Sequence, residues 1–572
     1  MPGISPASRP RNIPAPEGGI QVNHCRTPGC SNFGVWPALV SSGAGRGFRR
    51  GDKYTVVGSG GVAAIRCADC GSGANLKSNS AVKAEFERLR RYLAPLSPVR
   101  CSTPSCKNAT EVFATHEVEA RFQRFGRTAS GSHRWRCRAC KATVSVGGPN
   151  RRQKRHHLNI SAFRLLMNAT GPSRMAEILG CGDGTVYDKI DFIHRQCRLF
   201  VAERERRLPE MTFDRLDICT DQQTYLVNWP TRRVRKQVLI NGTASVECQS
   251  RYLFGPSLGH DPETTISEVE ELRAAAGDDA KPEHMQTYAH YWTEARYLRE
   301  AGQAGSGLTV DDQLPAQGVL IAGQYDLHGH FHFLRYLLGG AAHLNFFMDE
   351  DGSMPVACLG AFADRVTTRT ADIFQVSIAK DLTIDQRRAK QHDAEQRFAV
   401  DKAAHPGLAD WEVRRAVAET RVATARATSP LPHRKLQDVV IDLLFPDFAE
   451  PDKKVRFTTD MDDYDDAKVA RRLLRATLWP VDSVFAQMRR RLRLVERGIS
   501  SPRRGRAIWH INAPYNPIML AKVLFIFSVW HNYVGPRGTK ETPAMRLGLA
   551  KGPVRMEDIL YFDVRDGLRP AL

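Results

Sequence analysis

Three things are missing from this 572-residue sequence, and each absence removes a class of protein. The most apolar run, Ile518 to Trp530, is short and interrupted by Lys522, whereas a membrane-spanning helix needs about 20 apolar residues. The opening residues, Met1 to Ala7, lack the apolar core of a signal peptide. No Gly-x4-Gly-Lys-Ser/Thr occurs, and Gly305-Ser-Gly307 is too sparse to cradle phosphates, so nothing supports ATP dependence. Acidic residues are also in deficit, 62 against 82 Lys and Arg, which leaves a formal net charge of +20.

That excess favours a polyanionic partner, because neutralising phosphates releases counterions. Nucleic acid is the first candidate and an anionic membrane surface the second. A hydrophobic content of 42% gives three or four domains a core each. With no export signal, a cytoplasmic, DNA-associated location is expected, and in that reducing compartment paired cysteines bind metal more readily than they form disulfides.

Eight of the thirteen cysteines fall into four pairs: Cys25/Cys30, Cys67/Cys70, Cys101/Cys106 and Cys137/Cys140. The order wide, narrow, wide, narrow repeats once. The wide pairs share local text, Cys25-Arg-Thr-Pro-Gly-Cys30-Ser-Asn32 against Cys101-Ser-Thr-Pro-Ser-Cys106-Lys-Asn108, which marks an internal duplication. Two knuckles of two thiolates each converge into a closed tetrahedral site, so two structural Zn2+ ions are expected. Cys181, Cys197, Cys219, Cys248 and Cys358 lack such spacing and read as small buried residues.

A basic run from Arg151 to His157 follows. Its candidates for phosphate contact are Arg151, Arg152, Lys154 and Arg155, against the plainer reading of a solvated linker. Next, Met175, Ala176 and Leu179 share one helix face, Gly180 fits a turn, and Val186 and Ile190 face back from a second helix. This is helix-turn-helix spacing, with Asp183 as N-cap. Arg174, Thr185, Tyr187 and Lys189 would face double-stranded DNA; an ordinary helical hairpin is the competing reading.

Strand text then appears at Leu216 to Asp221, Tyr225 to Trp229, Gln237 to Ile240 and Arg251 to Phe254. Asp221 is expected where paired strands begin. A helix around Phe331 to Leu338 precedes a strand, His343 to Met348, that ends in Asp349. Three antiparallel strands, a helix and a further strand would begin a ribonuclease H-like α/β fold, with Asp349 beside Asp221. His328, His330 and His332 alternate, but on a helix alternate residues do not share a face, so they read as packing and surface residues. Lys380 to Ser429 is charged and reads as an inserted helical lobe. A helix from Pro480 to Arg497 carries Asp482 in its first turn, with Arg489 and Arg493 on the same face to hold DNA. A favourable charge at the helix N-terminus accounts for Asp482 equally well.

The cysteine-paired head with Arg136-Cys-Arg-Ala-Cys140, the helix-turn-helix, the Asp221 strand and the arginine-rich helix after Asp482 resemble zinc-ribbon insertion-sequence transposases of the DDE class. Tyr515-Asn-Pro517, Trp530-His-Asn-Tyr533 and the segment Thr542 to Leu549 resemble their C-terminal part. The resemblance implies a ribonuclease H-like domain whose three acids, Asp221, Asp349 and Asp482, bind catalytic Mg2+ or Mn2+, with Asp351 and Asp460 as rivals for the second place. The third acid is Asp where that family usually has Glu, and the interval from Asp349 to Asp482 is longer than usual.

The expected fold class is multidomain α/β, and the expected division runs as follows: a disordered tail over 1–20, zinc ribbons over 21–95 and 96–150, the helix-turn-helix over 151–207, the ribonuclease H-like domain over 208–381 and 451–572, and the helical insertion over 382–450. Three functions fit: a DNA transposase working as a homo-oligomer on DNA, a catalytically inactive DNA-binding regulator derived from one, and a metal-dependent nuclease in defence or repair.

Overall fold

The computed structural model describes residues 13–38, 53–58, 63–129, 132–147, 153–228, 238–300, 314–315, 317–350, 352–379, 382–429, 436–496, 499–500, 508–509 and 512–562. Asp351, Arg151, Arg152 and the segment Gly305 to Gly307 lie outside them. The architecture is mixed α/β with several units.

The first cysteine unit holds an antiparallel sheet of β1 (Tyr54–Val57), β2 (Ala64–Cys67) and β3 (Gly73–Asn75). Helix α1 (Asn79–Arg90) follows, capped by the Ser78 hydroxyl, which accepts from the Ala81 amide. The second unit repeats the plan. Short helices α2 (Lys107–Thr110) and α3 (Val118–Arg121) lead into antiparallel β4 (Phe122–Arg127), β5 (His133–Cys137) and β6 (Thr143–Val146). Its small core gathers Val99, Phe113, Phe122 and Trp135. Ile13 and Ile20, expected within a disordered tail, are both buried. The Pro14 and Ala15 carbonyls accept from the Asn79 amide, so α1 anchors that segment.

Helices α4 (Asn159–Leu166), α5 (Pro172–Leu179) and α6 (Asp183–Glu205) follow. Met175, Ala176, Val186 and Ile190 are buried together, as their spacing predicts. Gly180 turns the chain with φ +61°, a conformation that costs glycine least. The N-cap of α6 is Gly182, and Asp183 is already helical, which corrects the expected cap.

The main sheet has β7 (Phe213–Val227), β8 (Val238–Glu247), β9 (Leu253–Leu258), β12 (Ala341–Asp349), β13 (Ala371–Ser377), β14 (Val440–Asp442) and β15 (Lys454–Phe457). A separate small pair joins β10 (His260–Asp261) to β11 (Val319–Leu320). The order across the large sheet is β14-β15-β13-β12-β7-β8-β9. β7, β8 and β9 are antiparallel neighbours, whereas β12 runs parallel to both β7 and β13. Parallel neighbours need a crossover. Helix α10 (Ser353–Thr367) supplies it between β12 and β13. The excursion after β10 contains α7 (Ile266–Ala275) and α8 (Glu294–Glu300), and α9 (Gly323–Leu337) leads into β12. Leu344, Phe346, Phe347 and Met348 are all fully buried, as expected of a strand covered on both faces.

Two boundaries differ from expectation. The texts around Asp221 and Tyr225 form one 15-residue strand, because the ladder to β8 continues unbroken from Ile218↔Glu247 to Val227↔Val238. Asp221 is therefore inside a strand, not at its start. The charged lobe is a hairpin of α11 (Ile384–Ala404) and α12 (Asp410–Thr428), which buries Phe398, Val413, Val417 and Val422. Beyond it, β14 and β15 extend the sheet at the β13 edge.

Helices α13 (Asp466–Leu473), α14 (Trp479–Arg491), α15 (Pro517–Val529), α16 (Pro543–Arg546) and α17 (Met556–Leu560) complete the chain. Among the described residues one segment, Pro517–Val534, is long and apolar enough to cross a membrane, contrary to the expectation that none is. It is 67% buried in the protein, packing with α6 and β9.

Candidate metal centres and acidic site

In the first unit the sulfurs of Cys25, Cys30, Cys67 and Cys70 lie within 4.8 Å of one another, and those of Cys101, Cys106, Cys137 and Cys140 do the same in the second. The close contacts are 3.5 and 3.7 Å in the first cluster, 3.2 and 3.7 Å in the second. A tetrahedron with Zn–S near 2.3 Å has S–S edges of about 3.8 Å. Both clusters are thus compatible with structural zinc.

The surroundings fit bound thiolates. In each unit the asparagine two residues after the second cysteine donates its amide to the first cysteine of the narrow pair: Asn32 to Cys67 at 3.4 Å, Asn108 to Cys137 at 3.2 Å. Such outer donors orient ligands and stabilise their charge. Burial alone would raise the Cys67 thiol, but the Cys70 backbone and the Asn32 amide outweigh it and bring the pKa to about 7. Cys140 is pulled to about 6, first by the Ala142 backbone and then by neighbouring thiols. Other ligands shift the opposite way: burial pushes Cys25 up to about 12, and Cys30 and Cys106 are raised too, because thiols this close resist ionising together. Deprotonated sulfur is the form that binds metal, so a cation among them would be needed to hold all four as thiolates.

The acids are positioned by the sheet. Met348↔Thr220 is the last registered pair between β12 and β7. One residue further on each strand stand Asp349 and Asp221, side by side across a strand spacing of about 4.8 Å. Asp221 is buried and Asp349 half-buried. Each carboxylate accepts from the next backbone N–H, Gln222 and Glu350, at 2.8 Å.

Asp482 lies in the first turn of α14, and this helix packs on β7. Arg489 donates to Gln223 at 2.8 Å, and Tyr225 donates to the Met488 sulfur at 3.5 Å. Alternate residues of a strand share a face, so Gln223 and Tyr225 are on the Asp221 side of β7. Helix α14 therefore covers the face that carries Asp221.

From the opposite face a hydrogen-bond chain anchors α9. Thr220 and Ser245 hydroxyls meet at 2.7 Å, Ser245 meets His330 Nε2 at 2.8 Å, and His330 Nδ1 meets Ser257 at 2.7 Å. One side chain thereby ties α9 to β7, β8 and β9 immediately behind the acids. His328 and His330 are buried and His332 half-buried, so of the expected packing and surface roles these three take packing ones.

Other candidates are not brought to this site. Asp460 follows β15, whose antiparallel course carries it toward the Ile373 end of β13, whereas Asp349 pairs at the Val376 end. There Asp460 is fully buried and bound by the Arg426 guanidinium at 3.1 Å and the Leu436 amide at 2.7 Å. It is a structural acid, not a rival for the second place. Lys189 is buried too, donating to the Lys154 carbonyl at 2.5 Å, while Tyr187 is exposed. Positions 187 and 189 are about 200° apart on a helix, so both cannot face one groove. Thr185 is half-buried, and Arg174, Lys154 and Arg155 are exposed. Arg493 does not continue the α14 face: Leu492 is extended (φ −114°, ψ 110°), and Arg493 pairs with Glu496 at 2.9 Å.

One surface was missed from the sequence. On the second cysteine unit the exposed Phe125 ring is flanked by Arg134 and Arg136 at 5.4 and 5.5 Å. The text Arg134-Trp-Arg-Cys-Arg138 held the signal, since alternate strand residues line one face.

No protein-family model, no curated protein and no solved structure matches this chain.

Proposed function

We propose that this chain is a DNA transposase-like protein that cleaves and joins strands with divalent metal, guided to duplex DNA by two zinc ribbons and a helix-turn-helix. The observation that carries the reading is that Asp221 and Asp349 each stand one residue beyond Met348↔Thr220, the last registered pair of two parallel strands. The order β9-β8-β7-β12-β13 supports a ribonuclease H-like core, since that fold puts a strand beside the first of three antiparallel strands. Asp221, Asp349 and Asp482 would hold Mg2+ or Mn2+, hard cations that prefer carboxylate oxygens.

When bound, two such ions activate water or a 3′-hydroxyl and stabilise the leaving oxygen. The chain's own residues supply position and charge. Arg489, held by Gln223 two residues from Asp221, puts a cation on the acid-bearing face of β7 for a phosphate. Arg174, Tyr187, Lys154 and Arg155 present an exposed polar surface around α5 and α6, and Arg134 and Arg136 add a second basic patch. Zinc held by either set of four cysteines would have no open coordination position and would serve the fold alone.

The test is incubation of purified protein with plasmid DNA and Mn2+, comparing wild type with Asp221→Ala. Cleavage and joining that both vanish in the variant support the reading. Cleavage without joining selects a nuclease, and equal activity in both proteins removes Asp221 from the mechanism.

A further inference from the structure

Where α4 and α5 meet the last turn of α14 and the chain after α15, there is a cleft of about 650 Å3. Its walls include Asn168, Gln487, Arg490, Arg491, His531 and Glu541. Two guanidinium groups stand there with no carboxylate within 4.0 Å among the described residues. Arg490 is exposed, and its Nε donates only to the Ala486 carbonyl. Arg491 is held in place: Nη1 donates to Asn168 Oδ1 at 3.0 Å, its carbonyl accepts from the Ala169 amide at 2.9 Å, and its guanidinium lies 5.0 Å from the Trp530 ring.

The acid in the wall does not balance these charges, because Glu541 is paired with Arg546 at 2.8 Å. Nor does His531 add to them. Burial pushes its pKa to about 4, so it is neutral; its one ring N–H donates to the Arg251 carbonyl at 3.1 Å, and its other ring nitrogen lies 3.3 Å from the Gln487 side-chain amide. The cleft thus offers net positive charge, one arginine held by Asn168 and Trp530 and one solvent-exposed arginine.

We infer that this cleft seats a backbone phosphate of a DNA strand, at a fixed distance from the acids. The inference rests on the DNA-processing reading and adds a contact point to it. Arg490 is eight residues beyond Asp482 on the same helix, about 12 Å along its axis. At 3.4 Å per base step, a strand passing the acids would place a phosphate here three to four steps away. A single rigid helix then sets the register between the strand's grip and its reacting bond.

The experiment measures Kd for a random-sequence 30-base-pair duplex across a salt series in wild type, Arg490→Ala and Arg490→Lys. A lost phosphate contact lowers the slope of log Kd against log salt by about 1. That decrease is expected in Arg490→Ala, while Arg490→Lys keeps the wild-type slope. Wild-type binding with an unchanged slope in Arg490→Ala overturns the cleft assignment and leaves the DNA reading intact. Failure of the wild type to bind duplex overturns both. Inorganic phosphate is titrated in parallel by calorimetry: Arg490-dependent phosphate binding with no change in DNA slope identifies a small-anion site and likewise overturns the assignment.

Discussion

His330 is the side chain whose replacement is most easily converted to a number. Its ring is fully buried between two serine hydroxyls, and burial lowers its pKa from 6.5 to about 3. The unfolded chain therefore binds a proton that the folded chain refuses. Its stabilising contribution is complete above pH 6.5 and is lost as pH falls toward 3. Across the whole window the gap is worth roughly 5 kcal/mol. Between pH 7.5 and pH 5 this one ring removes about 2 kcal/mol. Histidine C2-hydrogen exchange read by mass spectrometry gives the ring's midpoint directly, and denaturant unfolding of wild type and His330→Gln at both pH values gives the energy. Glutamine keeps a donor and an acceptor without a titrating ring, so the variant's pH dependence should be shallower by that 2 kcal/mol. A His330 midpoint within a unit of 6.5, or parallel pH dependences, would refute the reasoning.

Metal analysis should find two zinc ions per chain, and Asn108→Leu should weaken retention in the second cluster by about 10–100-fold in a chelator competition. One ion or none would contradict the duplicated centre. Arg426→Met strands the buried Asp460 carboxylate and should cost roughly 3–5 kcal/mol in unfolding measurements. The double variant with Asp460→Asn should recover much of it, whereas a lasting full deficit would show that packing, not charge, was lost. Phe125→Ala combined with Arg136→Ala should weaken duplex binding and flatten its salt dependence; unchanged binding would remove that patch from the interface.

What the sequence revealed follows from how locally each feature is encoded. Cysteine spacing is local, so all eight metal-ligand candidates were legible and converge in two clusters. Asn32 and Asn108 were visible as repeated text, but their bonds to Cys67 and Cys137 needed the fold. Asp349 was legible because an apolar strand visibly ends there. Asp460 misled because strand direction is not written in the residues: β15 returns antiparallel and delivers its acids to the far end of the sheet. The polar text Gln222 to Thr224 looked like a break, yet a ten-pair ladder to β8 overrides weak local propensity. Arg493 keeps the helical spacing of Asp482 and Arg489 in the sequence, but the backbone leaves the helix at Leu492, a break that the residues themselves do not signal.

Electron paramagnetic resonance of added Mn2+, with zinc retained in both cysteine clusters, tests the central claim most directly, because it asks whether the sheet gathers an ion-holding set of acids. Wild type should bind Mn2+ at micromolar-range concentrations, and Asp221→Asn or Asp349→Asn should each abolish that signal without altering zinc content. Undiminished Mn2+ binding in both variants would contradict the account.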